Sequence, residues 1–164
     1  MGISFGSKSV KPYVGSKEVQ EAYVGSQLVY QSKPPYTYVF LGGENNYYLA
    51  DYTAMQNGLA IAKESNVYRL AYPARTSNIP QLVINQVLGT HIKFTAKGGS
   101  NSSITVYGQS GSLNIQLGYI NISGVADYTL YDVAIPADRT YDNISIRASG
   151  QAIIYMDAVR FETP

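Results

Sequence analysis

The first 32 residues repeat one short unit, and this repeat limits the fold more than any other feature of the sequence. The decapeptides Lys11–Gln20 and Glu21–Tyr30 carry Tyr-Val-Gly-Ser at the same offset, with a Val four residues after the Gly. A Gly at the first central position of a two-residue loop supplies the positive φ of a type II′ turn, and Ser follows it readily. The repeat therefore predicts a chain of tight hairpins with loops at Gly15-Ser16 and Gly25-Ser26.

The predicted loops fix the register of the hairpins and give them an apolar face. The register places four pairs of residues opposite each other: Val14 and Lys17, Pro12 and Val19, Tyr23 and Leu28, and Glu21 and Tyr30. One face then collects the apolar residues Val10, Pro12, Val14, Val19, Tyr23, Leu28 and Tyr30. Units of fewer than ~40 residues rarely fold alone. This face must therefore be covered, either by the rest of the chain or by another protein.

The second alternative makes residues 1–32 a docking segment for a larger assembly. Its docking residues are expected to be Val10, Val14, Val19, Tyr23, Leu28 and Tyr30. The run VKPYVGSKEV from Val10 to Val19, followed by YVGSQLVY from Tyr23 to Tyr30, resembles the start of many bacteriophage virion proteins. Those proteins are tail, baseplate, head-fibre or capsid-decoration components, in which such a segment precedes an outward domain. The resemblance implies a location in the virion, with other virion proteins as partners and a homo-oligomer as a further expectation.

A proline-rich linker, residues 33–36, separates this segment from the rest of the chain. Paired prolines such as Pro34-Pro35 favour extended geometry and end a strand ladder. Residues 37–164 then show strand-like runs broken by Gly, Asn and Ser turns roughly every ten residues, a spacing typical of sandwiches and jelly rolls. The run Thr90–Lys97 alternates cleanly and is predicted to place three side chains inward: Ile92, Phe94 and Ala96.

Two hairpins are predicted later in this domain. They join Ser103–Tyr107 with Leu113–Leu117, and Asn143–Ala148 with Ala152–Phe161. The helix candidate, Thr53–Ser65, is weak because it contains Gly58 and lacks a clean helical period.

The second half of the chain resembles the galactose-binding-like jelly rolls of carbohydrate-binding modules. The resemblance is carried by Ile92–Lys97, Ser103–Gly108, Ile144–Ile146 and Ile154–Phe161. It implies a β-sandwich with a glycan as partner. The expected fold class is therefore all-β: a small N-terminal β-meander of hairpins, followed by a jelly-roll β-sandwich.

Asp157 is the most informative polar residue. Strand alternation predicts that it shares a face with apolar residues, namely Ile153, Tyr155, Val159 and Phe161. A buried charge needs partners or a metal. The resemblance implies a structural Ca²⁺ there, and Glu44 and Asp51 are the acidic residues best placed in the sequence to complete its site. The favoured alternative is a carboxylate that accepts backbone N–H groups or pairs with Arg160 or Arg147.

A tyrosine-rich stretch is the candidate glycan site. Its residues are Tyr47, Tyr48, Tyr68 and Tyr72, with Arg69 among them. Flat aromatic faces stack on sugar C–H surfaces, and polar side chains recognise hydroxyl groups. The alternative is that these tyrosines are half-buried strand or interface residues.

Composition excludes several other classes of function. The chain has no Cys and one His, which removes disulfides, thiol nucleophiles and His-cluster metal sites. A net charge of +1 gives no electrostatic case for nucleic acid. No apolar run approaches the ~20 residues of a membrane span, so no membrane partner is expected. We therefore expect a non-enzymatic phage structural protein that displays a carbohydrate-binding-like sandwich, or a stand-alone carbohydrate-binding module or lectin.

Overall fold

The computed structural model of the chain describes residues 13–14, 17–18, 21–24, 27–31, 36–43, 47–49, 53–73, 78–150 and 153–163. The chain divides into two compact units, Met1–Pro34 and Pro35–Pro164. The boundary between them falls within the linker expected at residues 33–36. Within the described ranges, no helix is long and apolar enough to cross a membrane.

The described strands of the first unit form two antiparallel pairs. In the first pair β1 (Tyr13–Val14) lies beside β2 (Lys17–Glu18). In the second β3 (Glu21–Val24) lies beside β4 (Gln27–Gln31). Short strands paired across two residues are what the Tyr-Val-Gly-Ser repeat predicts.

The register of these strands confirms two of the predicted pairs: Val14 with Lys17, and Tyr23 with Leu28. The pair of Glu21 with Tyr30 is wrong, because Ala22 lies opposite Tyr30. Pro12 and Val19, the remaining predicted pair, lie outside the described residues. The register shifts between Ala22 and Tyr23, where β4 carries one extra residue in a β-bulge.

The docking role of the first unit stays a prediction. Val10 and Val19 lie outside the described residues. The other expected docking residues belong to the described strands: Val14, Tyr23, Leu28 and Tyr30.

The second unit is built from short antiparallel strands. Their bounds are β5 Tyr36–Leu41, β6 Tyr47–Tyr48, β7 Thr53–Gln56, β8 Ala60–Glu64, β9 Val67–Tyr72, β10 Gln81–Ile84, β11 His91–Gly98, β12 Ser102–Ser110, β13 Leu113–Asn121, β14 Thr129–Ala134, β15 Asn143–Gly150 and β16 Ile154–Glu162.

These strands form two sheets. The five-stranded sheet has the order β13-β12-β15-β10-β7. The seven-stranded sheet has the order β14-β11-β16-β5-β6, with β9 also paired to β16 and β8 paired to β9. Strands far apart in the chain are neighbours in both sheets, as in the expected jelly roll.

One apolar core lies between the two sheets. The seven-stranded sheet contributes the inward residues expected from the alternation of β11, and Ile92, Phe94 and Ala96 are each 0% exposed. The five-stranded sheet contributes Ile104 and Val106 of β12, and Ile144 and Ile146 of β15. Full burial of such side chains stabilises a fold by roughly 1.5–3 kcal/mol each. The all-β sandwich expected from the sequence is confirmed.

Two local predictions are wrong. β15 and β16 do not form a hairpin, because β15 pairs with β12 and β10 whereas β16 belongs to the other sheet. The weak helix candidate at residues 53–65 is instead the two strands β7 and β8, separated by a turn at Asn57-Gly58. Both residues of that turn have positive φ, 58° and 87°, which a helix does not accommodate.

A β-bulge in β16 changes the expected face of Asp157. The register against β11 shifts between Lys93 and Thr95, and Ala158 has a φ of 52°. Beyond the bulge the alternation is reversed, so Val159 is 0% exposed in the core while Asp157 lies on the outer side of the sheet. The expectation that Asp157 shares a face with Val159 and Phe161 is therefore wrong.

Candidate functional site

The structure disperses the tyrosine cluster predicted from the sequence. Tyr72 is 1% exposed, and its hydroxyl lies 3.9 Å from the sulfur of Met156 in the core. Burial raises the pKa of the Tyr72 phenol well above its usual value. A buried ring cannot stack on a sugar, so the prediction that Tyr72 binds glycan is wrong.

Tyr68 and Arg69 are consecutive in β9 and therefore point to opposite sides of the sheet. Tyr68 is 39% exposed. The Arg69 guanidinium forms an ion pair with Asp157 at 2.9 Å and lies 5.0 Å from the ring centre of Tyr128. The two residues thus do not share one binding surface.

The remaining two tyrosines of the cluster lie in β6, where Tyr47 is opposite Leu41 and Tyr48 opposite Phe40. The Tyr48 ring packs edge-on against the Phe40 ring, with 6.3 Å between their centres. A glycan role for Tyr47, Tyr48 and Tyr68 stays a prediction.

Asp157 is held by protein groups. It is 8% exposed, and its Oδ1 accepts a 2.6 Å hydrogen bond from the backbone N–H of Gly42. Its Oδ2 pairs with Arg69. The expected backbone N–H partner is confirmed, whereas Arg69 takes the place expected for Arg160 or Arg147.

The structural Ca²⁺ expected at Asp157 stays a prediction. The described part of the chain contains no group of three His, Cys, Asp or Glu placed to hold a metal ion. Glu44 and Asp51 lie outside the described residues. The negative charge of Asp157 is balanced by Arg69 in this structure.

A second polar cluster surrounds Glu64. Its carboxylate accepts hydrogen bonds from the Lys97 ammonium group and, at 2.5 Å, from the Tyr128 hydroxyl. The hydrogen bond from Lys97 is the main cause that lowers the pKa of Glu64, while burial raises the pKa of Tyr128. Because Lys97 and Tyr128 both bond to Glu64, the cluster connects three separate segments of the chain.

A different surface gathers polar groups most of which remain accessible: the outer face of the five-stranded sheet. In β12 and β15 every second residue fills the core, and the residues between them face outward. The polar side chains of this face include Gln56, Gln81, Thr105, Tyr107, Gln109, Asn114, Gln116, Tyr119, Asn143, Arg147 and the buried Ser145. We call this surface the amide face. Among its described residues, Arg147 alone is charged.

Arg147 lies at the centre of the amide face. Its guanidinium carbon is 4.3 Å from the ring centre of Tyr107, and its Nε donates to the hydroxyl of Ser145 at 3.2 Å. The hydrogen-bonding pattern assigns the Asn114 amide so that its oxygen faces Arg147 and accepts from both terminal nitrogens at 3.0 and 3.2 Å. These contacts fix the Arg147 guanidinium group on the Tyr107 ring.

Amide pairs flank this centre. The Gln81 side chain donates to the Gln56 side chain at 2.7 Å, and the Asn143 side chain donates to Gln109 at 2.9 Å. Each side-chain amide has two N–H donors and an oxygen with two lone pairs, so an amide that makes one of these hydrogen bonds can still bind a ligand.

An exposed aromatic ring and a depression complete the face. Tyr119, opposite Thr105 in the neighbouring strand, is 62% exposed. A depression of about 370 Å³ beside Arg147 is lined by four further residues: Asn57, Asn78, Ile79 and Gln81. The arrangement combines an exposed aromatic ring with groups that donate and accept hydrogen bonds, which suits a ligand rich in hydroxyl groups.

Part of the amide face could have been predicted from the sequence. In β12 the residues Thr105, Tyr107 and Gln109 alternate with apolar ones, so an outward polar stripe could have been found there. The contact of Tyr107 with Arg147 depends on the pairing of β12 with β15. That pairing cannot be derived from alternation within either strand.

The β-sandwich matches family 29 carbohydrate-binding modules. The module from Piromyces equi has a TM-score of 0.59 and 15% sequence identity, covering 79% of this chain and 90% of that one. Another family 29 module has a TM-score of 0.57 and 12% identity, covering 78% and 89%. A lysine-to-alanine variant complexed with cellulohexaose has a TM-score of 0.57 and 11% identity, covering 78% and 92%.

Further family 29 structures are alanine variants of a tyrosine, an arginine and an aspartate that probe ligand recognition. At these identities the likeness concerns the fold. No protein-family model matches the sequence, and no curated protein is similar to it.

Proposed function

We propose that the β-sandwich is a glycan-binding module that holds its ligand on the amide face. The observation that carries the proposal is the stacking of Arg147 on Tyr107 among uncharged amide and hydroxyl side chains. The exposed ring of Tyr119 offers flat apolar surface to the C–H faces of sugars, while the amides bind hydroxyl groups. The family 29 module complexed with cellulohexaose supports the proposal, because it has the same fold.

The proposed role is binding without catalysis. The structures that resemble this chain are named as binding modules. Glycoside hydrolysis commonly requires two carboxyl groups on either side of the scissile bond. The described residues of the amide face include no carboxylate.

Binding is best tested by isothermal titration calorimetry against neutral cello-, xylo-, manno- and galacto-oligosaccharides. Tyr119→Ala removes an exposed ring from the amide face and is expected to weaken binding about five- to thirtyfold, which corresponds to about 1–2 kcal/mol. Tyr68→Ala is the matched control, because it removes a tyrosine that is 39% exposed on the other sheet.

The two variants distinguish the structural site from the sequence-predicted one. Weaker binding in Tyr119→Ala, with unchanged binding in Tyr68→Ala, supports the amide face. The reverse result would place the ligand near β9 and contradict the proposal. No binding to any glycan of the panel, nor to derivatives of it that carry an acidic group, would contradict glycan binding altogether.

We further propose that residues 1–32 dock the chain onto a bacteriophage particle and that the sandwich is displayed outward. The support is the Tyr-Val-Gly-Ser repeat and its resemblance to the start of virion proteins. A stand-alone carbohydrate-binding module accounts for the sandwich equally well.

The virion role makes a separate prediction about location. Antibodies against residues 35–164 should label particles purified from the source of the chain, and deletion of residues 1–32 should abolish the label. Particles without label, in preparations where the chain is found free, would favour the stand-alone module.

A further inference from the structure

The charge of Arg147 is not balanced by a carboxylate among the described residues. The other described arginines each form an ion pair: Arg69 with Asp157 at 2.9 Å, Arg139 with Asp138 at 2.7 Å, and Arg160 with Glu162 at 2.8 Å. Arg147 instead meets a hydroxyl, an amide oxygen and an aromatic ring. Its partners fix the guanidinium group in place and leave its net charge uncompensated.

We infer that the glycan held on the amide face carries a single anionic group, a carboxylate or a sulfate ester, bound at Arg147. The inference rests on the proposed function and names the class of glycan. Arginine is suited to such groups, because its planar fork matches the oxygen atoms of carboxylates and of phosphate-like anions.

The position of Arg147 favours an anion at this point of the sheet. The residue is half-buried and borders the depression of about 370 Å³ that Gln81 also lines. A hydrogen bond to a charged group is stronger where solvent is partly excluded. Asn114 is an exposed neutral acceptor and a weaker partner than an anion, so a ligand oxygen can replace it at the terminal nitrogens of Arg147.

The rest of the amide face limits the ligand to a sparsely charged glycan. Beyond Arg147 its described polar side chains are amides, hydroxyls and phenols. A single positive charge balances one anionic substituent, whereas a run of adjacent uronates would leave the remaining charges without partners. The expected ligand is thus a largely neutral glycan with isolated acidic residues.

The test uses matched pairs of the hexose members of the same panel, the cello-, manno- and galacto-oligosaccharides, because xylose has no C6. In each pair the acidic member differs only by oxidation of one C6 hydroxymethyl group to a carboxylate, and a third member carries a C6 sulfate ester. We expect an acidic member to bind the full-length chain about tenfold tighter than its neutral parent at low salt. The ratio should shrink as the salt concentration rises. The carboxylate and sulfate arms identify which anion is preferred.

Three variants assign the preference to its residue. Arg147→Gln should reduce the ratio of acidic to neutral affinity to about one, while Arg139→Gln removes an equal charge elsewhere and should leave the ratio unchanged. Asn114→Asp keeps the Arg147 side chain and its packing on Tyr107 but supplies a carboxylate beside it. This variant should lose the preference without the loss of contacts that truncation causes.

The outcomes separate the inference from the proposed function. Equal affinities within every pair, or tighter binding of the neutral member, would overturn the inference and leave glycan binding intact. A preference that persists in both Arg147→Gln and Asn114→Asp would also overturn it. No binding to any member would contradict both the inference and the proposed function.

Discussion

The backbone N–H of Gly42 donates a 2.6 Å hydrogen bond to Oδ1 of Asp157, a residue 115 positions further along the chain. The same carboxylate pairs with Arg69 through Oδ2. These contacts connect the end of β5 with β16 and β9 on the outer side of the seven-stranded sheet. Asp157 is therefore a structural residue that ties three strands together.

Replacement of Asp157 by Ala should destabilise the sandwich by about 2–4 kcal/mol, because it leaves the Arg69 guanidinium without its partner and the Gly42 N–H unsatisfied. The quantity to measure is the free energy of unfolding from urea denaturation. Asp138→Ala is the control, since its ion pair with Arg139 is exposed and should contribute nothing measurable. Equal stability of Asp157→Ala and the parent chain would contradict the structural role.

Gly42 is also a steric requirement of this junction. A Cβ at this position would lie 1.9 Å from the backbone oxygen of Tyr68 and 2.7 Å from Nη1 of Arg69. Gly42→Ala should therefore lower the free energy of unfolding by about 3 kcal/mol, because β9 must move away and the hydrogen bond to Asp157 weakens.

The control for Gly42→Ala is Gly111→Ala. Gly111 has a φ of 58°, and nothing lies within 4 Å of the position that a methyl group would take there. Only backbone strain of about 1 kcal/mol is therefore expected at Gly111. If the two alanine variants unfold at the same urea concentration, a steric clash at position 42 is not what destabilises Gly42→Ala.

Residue alternation predicts the core but not the site. The inward residues of β11 follow directly from period-two alternation, and each is fully buried. Alternation also predicts burial for Asp157, and the residue is buried, but the bulge at Ala158 places it on the outer side of its sheet. A single extra residue in a strand reverses every face beyond it, and no composition signal marks where it occurs.

The amide face could not be predicted because it is assembled from strands that are not consecutive in the chain. The tyrosine cluster near residue 70 groups residues that are close in sequence, yet Tyr72 points into the core and Arg69 points outward. Tyr107 and Arg147 meet only because β12 and β15 are neighbours in the five-stranded sheet. Sheet order is set by long-range packing rather than by local pattern.

Acid should weaken the outer side of the seven-stranded sheet. Hydrogen bonds from Lys97 lower the pKa of Glu64, and those from Lys93 lower the pKa of Glu162, each from a usual value of 4.5. A carboxylate whose pKa is lower in the folded state than in the unfolded state stabilises the fold at pH values above its unfolded-state pKa. This stabilisation is lost as the pH falls through its folded-state pKa. The free energy of unfolding should thus decrease as the pH falls below about 4.5.

The double variant Glu64→Gln, Glu162→Gln should show a flatter dependence of stability on pH in this acidic range. The effect is modest because both carboxylates lie near solvent. Asp127→Asn, which replaces an exposed carboxylate with its neutral amide, serves as the control. A pH profile of the double variant that is identical to that of the parent chain would contradict the role of these two ion pairs.

Tyr107 should contribute to binding through its ring rather than its hydroxyl group. Tyr107→Phe keeps the ring under the Arg147 guanidinium, whereas Tyr107→Leu removes it and frees the arginine side chain. We expect little change in glycan affinity for the first variant and a loss of about fivefold or more for the second, as calorimetry would measure. A larger loss in Tyr107→Phe than in Tyr107→Leu would show that the hydroxyl group is what the ligand contacts.

Deletion of residues 1–34 should leave a folded, ligand-binding domain. Both sheets and the shared core consist of residues from Tyr36 to Glu162, and the chain divides into compact units between Pro34 and Pro35. A domain of this size can bury roughly two-thirds of its unfolded surface, which is sufficient for independent stability. Residues 35–164 should therefore unfold cooperatively in urea and bind glycan with the affinity of the full chain. Loss of folding on truncation would mean that the Tyr-Val-Gly-Ser hairpins cover part of the sandwich, and it would contradict their role as a separate docking segment.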